Sequence, residues 1–108
     1  MIRGNIVIAR APGEFTTTAR PYVVGQSDET VGESATVSLC PLTSQLSGNA
    51  LIRIPVEAEA GNGLKRSSEI AVDLITTMRK SRIEEIVGSV TPIEIARVDV
   101  ALKRWLAL

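Results

Sequence analysis

Ala35-Thr36-Val37-Ser38-Leu39-Cys40-Pro41-Leu42 has the length and apolar character of a β-strand buried on both faces. Shorter β-rich runs lie on either side of it. Upstream, Pro21-Tyr22-Val23-Val24-Gly25 reads as a strand, with proline tolerated at its first position. Further upstream, Asn5-Ile6-Val7-Ile8-Ala9 is bounded by Gly4 and by Pro12-Gly13. Downstream, Leu51 to Val56 alternates weakly and contains Pro55, as an edge strand does. Ser68 to Ile75 reads as one strand with Ile70, Val72 and Leu74 on one face, and Ile83 to Val90 as the last.

The segments between are polar. Arg10 to Ala19 and Ser27 to Ser34 read as loops, and Ser44 to Asn49 as a turn. Glu57 to Ser67 carries Gly61-Asn62-Gly63, a strong turn signal, followed by the basic pair Lys65-Arg66. The C-terminal segment is the clearest helix. Thr91-Pro92-Ile93-Glu94 supplies a capping threonine, a proline for the first helical position and a glutamate three residues past the cap. Ile95, Val98, Leu102, Trp105 and Leu106 then recur at helical spacing, which predicts that Trp105 is buried on the apolar face. Asp99 and Lys103 are spaced to pair on the other face. The pattern predicts one domain over residues 1–108, mainly β with helices: a mostly antiparallel sheet or small barrel closed by a C-terminal α-helix.

Composition limits the functions open to this fold. Phe15, Tyr22 and Trp105 are the only aromatic residues, which argues against a sheet that binds RNA by rows of stacked bases. The 12 basic and 12 acidic residues cancel, so any nucleic-acid contact requires a local basic groove. The lone Cys40 has apolar neighbours and reads as a small buried hydrophobe. The start lacks the layout of a signal peptide, and no apolar run approaches the ~18 residues of a membrane span. The expectation is a cytoplasmic protein with no membrane contact.

Two residues at strand boundaries draw the chemistry together. Arg20 precedes Pro21, and Thr43 follows Pro41-Leu42. A guanidinium fork and a hydroxyl converging on one point suit a phosphate. With no histidine in the chain, acid–base steps fall to carboxylates, water or the arginine.

Taken in order, these segments resemble the MazF/PemK-type toxins. Arg3-Gly4-Asn5-Ile6-Val7 is similar to the family's opening strand, Arg20-Pro21 with Tyr22-Val23-Val24 to its Arg-Pro block, and Pro41-Leu42-Thr43-Ser44 to its Pro-Leu-Thr segment. Ile52 to Val56, Gly61 to Leu64, Val72 to Thr77, Arg79 to Ile83 and the closing helix resemble later blocks. The resemblance covers essentially the whole chain. It implies an SH3-like β-barrel with added helices and a homodimer. It also implies the endoribonuclease toxin of a type II toxin–antitoxin pair, cutting single-stranded RNA or mRNA at selected sequences without a metal or other cofactor. The implied partners are RNA and a cognate antitoxin whose acidic tail lies in the RNA groove, with DNA met only through the toxin–antitoxin complex.

By the same resemblance, Arg20 matches the family's catalytic arginine and Thr43 its active-site threonine. Asp73 and Glu14 compete for the role of base, and Lys65 and Arg66 are phosphate-contact candidates. The chain departs from the family in Thr16-Thr17-Thr18-Ala19, where relatives often carry a small-basic pair, and in Leu74, where a lysine or glutamine commonly follows the aspartate. Two other readings stand beside the nuclease. One is a CcdB-like poison of DNA gyrase that acts by binding through the last residues of its helix, Trp105 among them. The other is a catalytically silent relative that only binds an antitoxin.

Overall fold

The computed structural model describes residues 1–13 and 18–108. The strands are β1 (Asn5–Ala9), β2 (Arg20–Val24), β3 (Thr36–Thr43), β4 (Arg53–Val56), β5 (Ser68–Ala71), β6 (Thr76–Arg79) and β7 (Ile83–Ser89). The helices are α1 (Asp28–Val31) and α2 (Pro92–Leu106). All pairings among the described residues are antiparallel, in the order β4-β5-β3-β2-β1-β7, with β6 also paired to β3. No ladder joins the outer strands β4 and β7 among these residues, so hydrogen bonding leaves the sheet open rather than closed as a barrel. No helix of the described residues is long and apolar enough to cross a membrane.

The strand read as buried on both faces is buried in halves. Val37 and Leu39 lie in one core cluster with Val7, Ala9, Tyr22, Val24, Val31 and Met78. Cys40 and Leu42 lie in the other, with Ile6, Val23, Ile54, Val56, Ile70 and Val72. Side chains alternate along a strand, so β3 changes its main apolar face between Leu39 and Cys40. It pairs with β6 through its first half and β5 through its last residues, which allows one strand to serve both cores. Cys40 is fully buried, and burial pushes its thiol up to about 11.

Helix α2 starts as its sequence predicts. The Thr91 hydroxyl accepts from the Glu94 N–H at 3.1 Å, and the Glu94 carboxylate accepts from the Thr91 N–H at 2.8 Å. Its Val98 and Ala101 complete the larger core, with Ile95 and Leu102 packed beside them.

Several expectations are corrected. Trp105 is half exposed, at 49%, because the buried stripe of α2 runs through Val98 and Ala101 and leaves the last turn outside it. Asp99 pairs with Arg3 at 2.6 Å rather than with Lys103. The expected strand Ser68 to Ile75 stops at Ala71 and turns through a 3₁₀ segment, Val72–Leu74, that leaves Leu74 exposed. Thr76–Arg79, not anticipated as a strand, then pairs with β3. The loop expected over Ser27 to Ser34 contains the one-turn helix α1, capped by the Ser27 hydroxyl.

Candidate functional site

The register of the sheet brings Arg20 and Thr43 together. Tyr22 of β2 stands opposite Pro41 of β3. Arg20 lies two residues back along β2 and Thr43 two residues on along β3, at the same end of the β2–β3 pair. Both line a groove of about 840 Å³. Its floor includes Ile8, Pro21, Leu42 and Val87. One wall is the segment Gly63 to Arg66, which adds Lys65 and Arg66. Four of the six residues singled out from sequence therefore share one concave surface.

The two central side chains are left able to act on a ligand. Arg20 is exposed and forms no ion pair among the described residues. The Thr43 oxygen accepts the Gln45 N–H at 3.1 Å. Occupying one acceptor position leaves the hydroxyl proton to be donated elsewhere.

The basic wall is held against β7 by main chain. Asn62 is buried: its side-chain oxygen accepts from the N–H groups of Glu59 and Leu64, and its amide donates to the Glu57 carbonyl at 2.7 Å. The Ser89 N–H donates to the Gly61 carbonyl at 3.2 Å. A Cβ on Gly88 would meet the Gly61 oxygen at 2.5 Å, and one on Gly63 the Val87 oxygen at 2.7 Å. Gly63 also has φ of +71°, where L side chains are disfavoured. Glycine at both positions permits the approach that brings Lys65 and Arg66 to the groove.

Asp73 lies elsewhere. It accepts two hydrogen bonds from Arg53, at 2.7 and 3.1 Å, and does not line the groove. The Arg53 side-chain hydrogen bond holds its carboxyl below the usual aspartate range. Arg53 also sits 3.8 Å from Glu69, which is buried and accepts from the Ser47 N–H, the Ser47 hydroxyl and the Gly48 N–H. Those bonds, the Ser47 N–H first, lower the Glu69 pKa. Arg53 lines a separate apolar hollow of about 560 Å³ between β4 and α2, with Ile54, Pro55, Ile93 and Val100. Asp73 thus belongs to a structural ion pair, and the expectation that it serves the Arg20 site is not met by its position. Glu14 lies outside the described residues.

One groove carboxylate was not anticipated. Glu85 of β7 stands opposite Ile8, which in turn stands opposite Pro21, and all three line the groove. No local motif marks it; only the pairing of β7 with β1 brings it to the site.

Comparison with known proteins places these features in a family. Residues 2–106 match the family model described as the PemK-like, MazF-like toxin of type II toxin–antitoxin systems. A probable MazF endoribonuclease from Mycolicibacterium smegmatis is 32% identical over 108 residues, spanning 100% of this chain and 98% of that protein. Among solved structures, the Mycobacterium tuberculosis toxin MazF-mt6 superposes with a TM-score of 0.81 at 22% identity, covering 96% of this chain and 97% of that one. A MazE–MazF complex from Deinococcus radiodurans gives 0.80 at 22% identity, with coverage of 100% and 96%.

Proposed function

The chain belongs to the PemK-like, MazF-like toxin family of type II toxin–antitoxin systems, and from that premise we propose that it is an endoribonuclease cutting single-stranded RNA in the Arg20–Thr43 groove without a metal. The observation that carries this reading is the convergence of Arg20, Thr43, Lys65 and Arg66 on one concave surface. The relative from M. smegmatis bears the name of a probable endoribonuclease, which supports the same activity here.

The chemistry follows from RNA itself. The 2′-OH attacks the adjacent phosphorus in line and the 5′-oxygen leaves, giving a 2′,3′-cyclic phosphate and a 5′-hydroxyl. Negative charge grows on the non-bridging oxygens during attack. The Arg20 fork and the outward Thr43 proton stabilise that charge. A guanidinium offers five N–H donors and no acceptor, so Arg20 acts as an electrostatic group rather than a base. Lys65 and Arg66 hold flanking phosphates and fix register without reading sequence. The proton of the 2′-OH leaves to a carboxylate or to water, with Glu14 a candidate acceptor.

The protein works in the cytoplasm as a homodimer of SH3-like toxin subunits, causes growth arrest, and is silenced by a cognate antitoxin whose acidic tail occupies the same groove. MazE–MazF complexes among the similar structures support such a partner.

Purified protein in EDTA should cut single-stranded RNA and leave cyclic phosphate ends, and Arg20→Ala should not. Equal cutting by that variant would sink the mechanism. The half-exposed Trp105, with exposed Leu106 and Leu108, sustains the gyrase-poison alternative, because it leaves the helix end open to a partner. Growth arrest that survives Arg20→Ala but is lost on removing residues 103–108 from a folded protein would favour that alternative.

A further inference from the structure

Glu85 is an anionic group in a groove otherwise furnished for anions. Arg20, Lys65 and Arg66 line the same surface, and Glu85 is the one carboxylate among the described residues that does so. It forms no ion pair among those residues, whereas its neighbour Glu84 is held by Arg10 at 2.5 Å. Glu85 is exposed on β7, where it pairs with Ile8 of β1 next to a bulge in that ladder.

We propose that Glu85 is a specificity-determining residue that reads a guanine next to the cleaved phosphate. The assignment rests on the RNA-cleavage reading. An ionised carboxylate only accepts hydrogen bonds, and it repels phosphate. In a groove that holds an RNA backbone, its favourable contacts are therefore the N–H groups on base edges. Bases in single-stranded RNA present those edges freely. Guanine offers N1–H and the N2 amine side by side, a match for the two oxygens of one carboxylate. Adenine, cytosine and uracil each lack that adjacent pair of donors.

Position separates this role from the cleavage step. Glu85 lies on β7, with β1 between it and the β2 strand that carries Arg20. Two strand spacings amount to about 10 Å, so the carboxylate meets a nucleotide beside the one whose phosphate Arg20 contacts.

The test compares wild type with Glu85→Gln, which keeps the side-chain size and replaces one acceptor oxygen by a donor. RNA ends produced by each protein are sequenced, and rates are measured on oligonucleotides with guanine, inosine or adenine at each flanking position. Wild type should prefer guanine at one flanking position. The variant should lose about 10- to 100-fold of that preference there and nowhere else, the scale of one bidentate base contact. Its cutting of the relaxed motifs should persist. An unchanged preference in the variant, no guanine preference in wild type, or a uniform loss on every sequence would each overturn the proposal. Affinities for the same oligonucleotides with a 2′-deoxy block at the cleavage position keep the outcomes separate. If wild type cuts nothing, the nuclease reading fails. A guanine preference in binding that disappears in the variant would still establish the contact, and none would refute it.

Discussion

Two arginines stand at the starts of short strands in this molecule, and their surroundings differ completely. Arg53 opens β4 and is enclosed by carboxylates: Asp73 accepts two of its hydrogen bonds and the buried Glu69 sits at 3.8 Å. Arg20 opens β2, is exposed, and faces a groove with no ion-pair partner among the described residues. Both precede a nearby proline, so local sequence does not separate them. What separates them is whether another described residue already answers the charge: Arg53 is paired with carboxylates, and Arg20 has no ion-pair partner among the described residues.

Substitutions at the two positions should therefore fail in different currencies. Arg20→Ala should reduce RNA cleavage about 10²- to 10³-fold, the usual effect of removing one electrostatic donor from a transition state. Its unfolding free energy from urea denaturation should stay within about 0.5 kcal/mol of wild type, as for an exposed residue. A large loss of stability in that variant would erase the contrast. Arg53→Ala should show the opposite profile. Leaving Asp73 and Glu69 unpaired should destabilise the fold by about 2–3 kcal/mol in urea denaturation, with cleavage per folded molecule largely kept.

Thr43→Val should come next in size. It preserves shape but removes the hydroxyl proton, and cleavage should fall about 10-fold, equivalent to one hydrogen bond of about 1.4 kcal/mol. Thr43→Ser should restore most of the rate, and failure to do so would indicate that the methyl group matters more than the hydroxyl.

Acid sharpens the comparison least. Glu69 and Asp73 have pKa values below their ordinary 4.5 and 3.8 in the folded protein. In that window the unfolded chain binds more protons, so folding stability rises with pH. Their contribution is present above the ordinary values and is lost as pH falls through the lowered ones. Urea midpoints measured from pH 6 down to 3 should drop more steeply for wild type than for Arg53→Ala, whose carboxylates lack the arginine.

Local signals were legible where the deciding contacts are local. The capping box at Thr91 and Glu94 is a contact between residues three apart, and it forms as read. The β-branched runs at Asn5–Ala9 and Arg20–Val24 are strands. Thr76–Arg79 escaped notice because only Met78 of its four residues is buried, which leaves no alternation to see. The apolar spacing of Ile70, Val72 and Leu74 misled because it continues through a turn. Trp105 misled for a related reason: helical spacing identifies a face, but not how far the core extends along it. Family resemblance points to Arg20 and Thr43, and both line the groove. Their meeting in one groove and the arrival of Glu85 depend on strand pairing, and the placement of Asp73 on a 3₁₀ turn that brings it to Arg53; all three are long-range properties.

The wall carrying Lys65 and Arg66 is attached to β7 through backbone carbonyls and N–H groups, two glycines and the amide of Asn62. None of these anchors uses the outward side chains at positions 65 and 66. Those positions can therefore be substituted while the anchors of the wall stay intact, which uncouples the charge of the groove from the maintenance of folding.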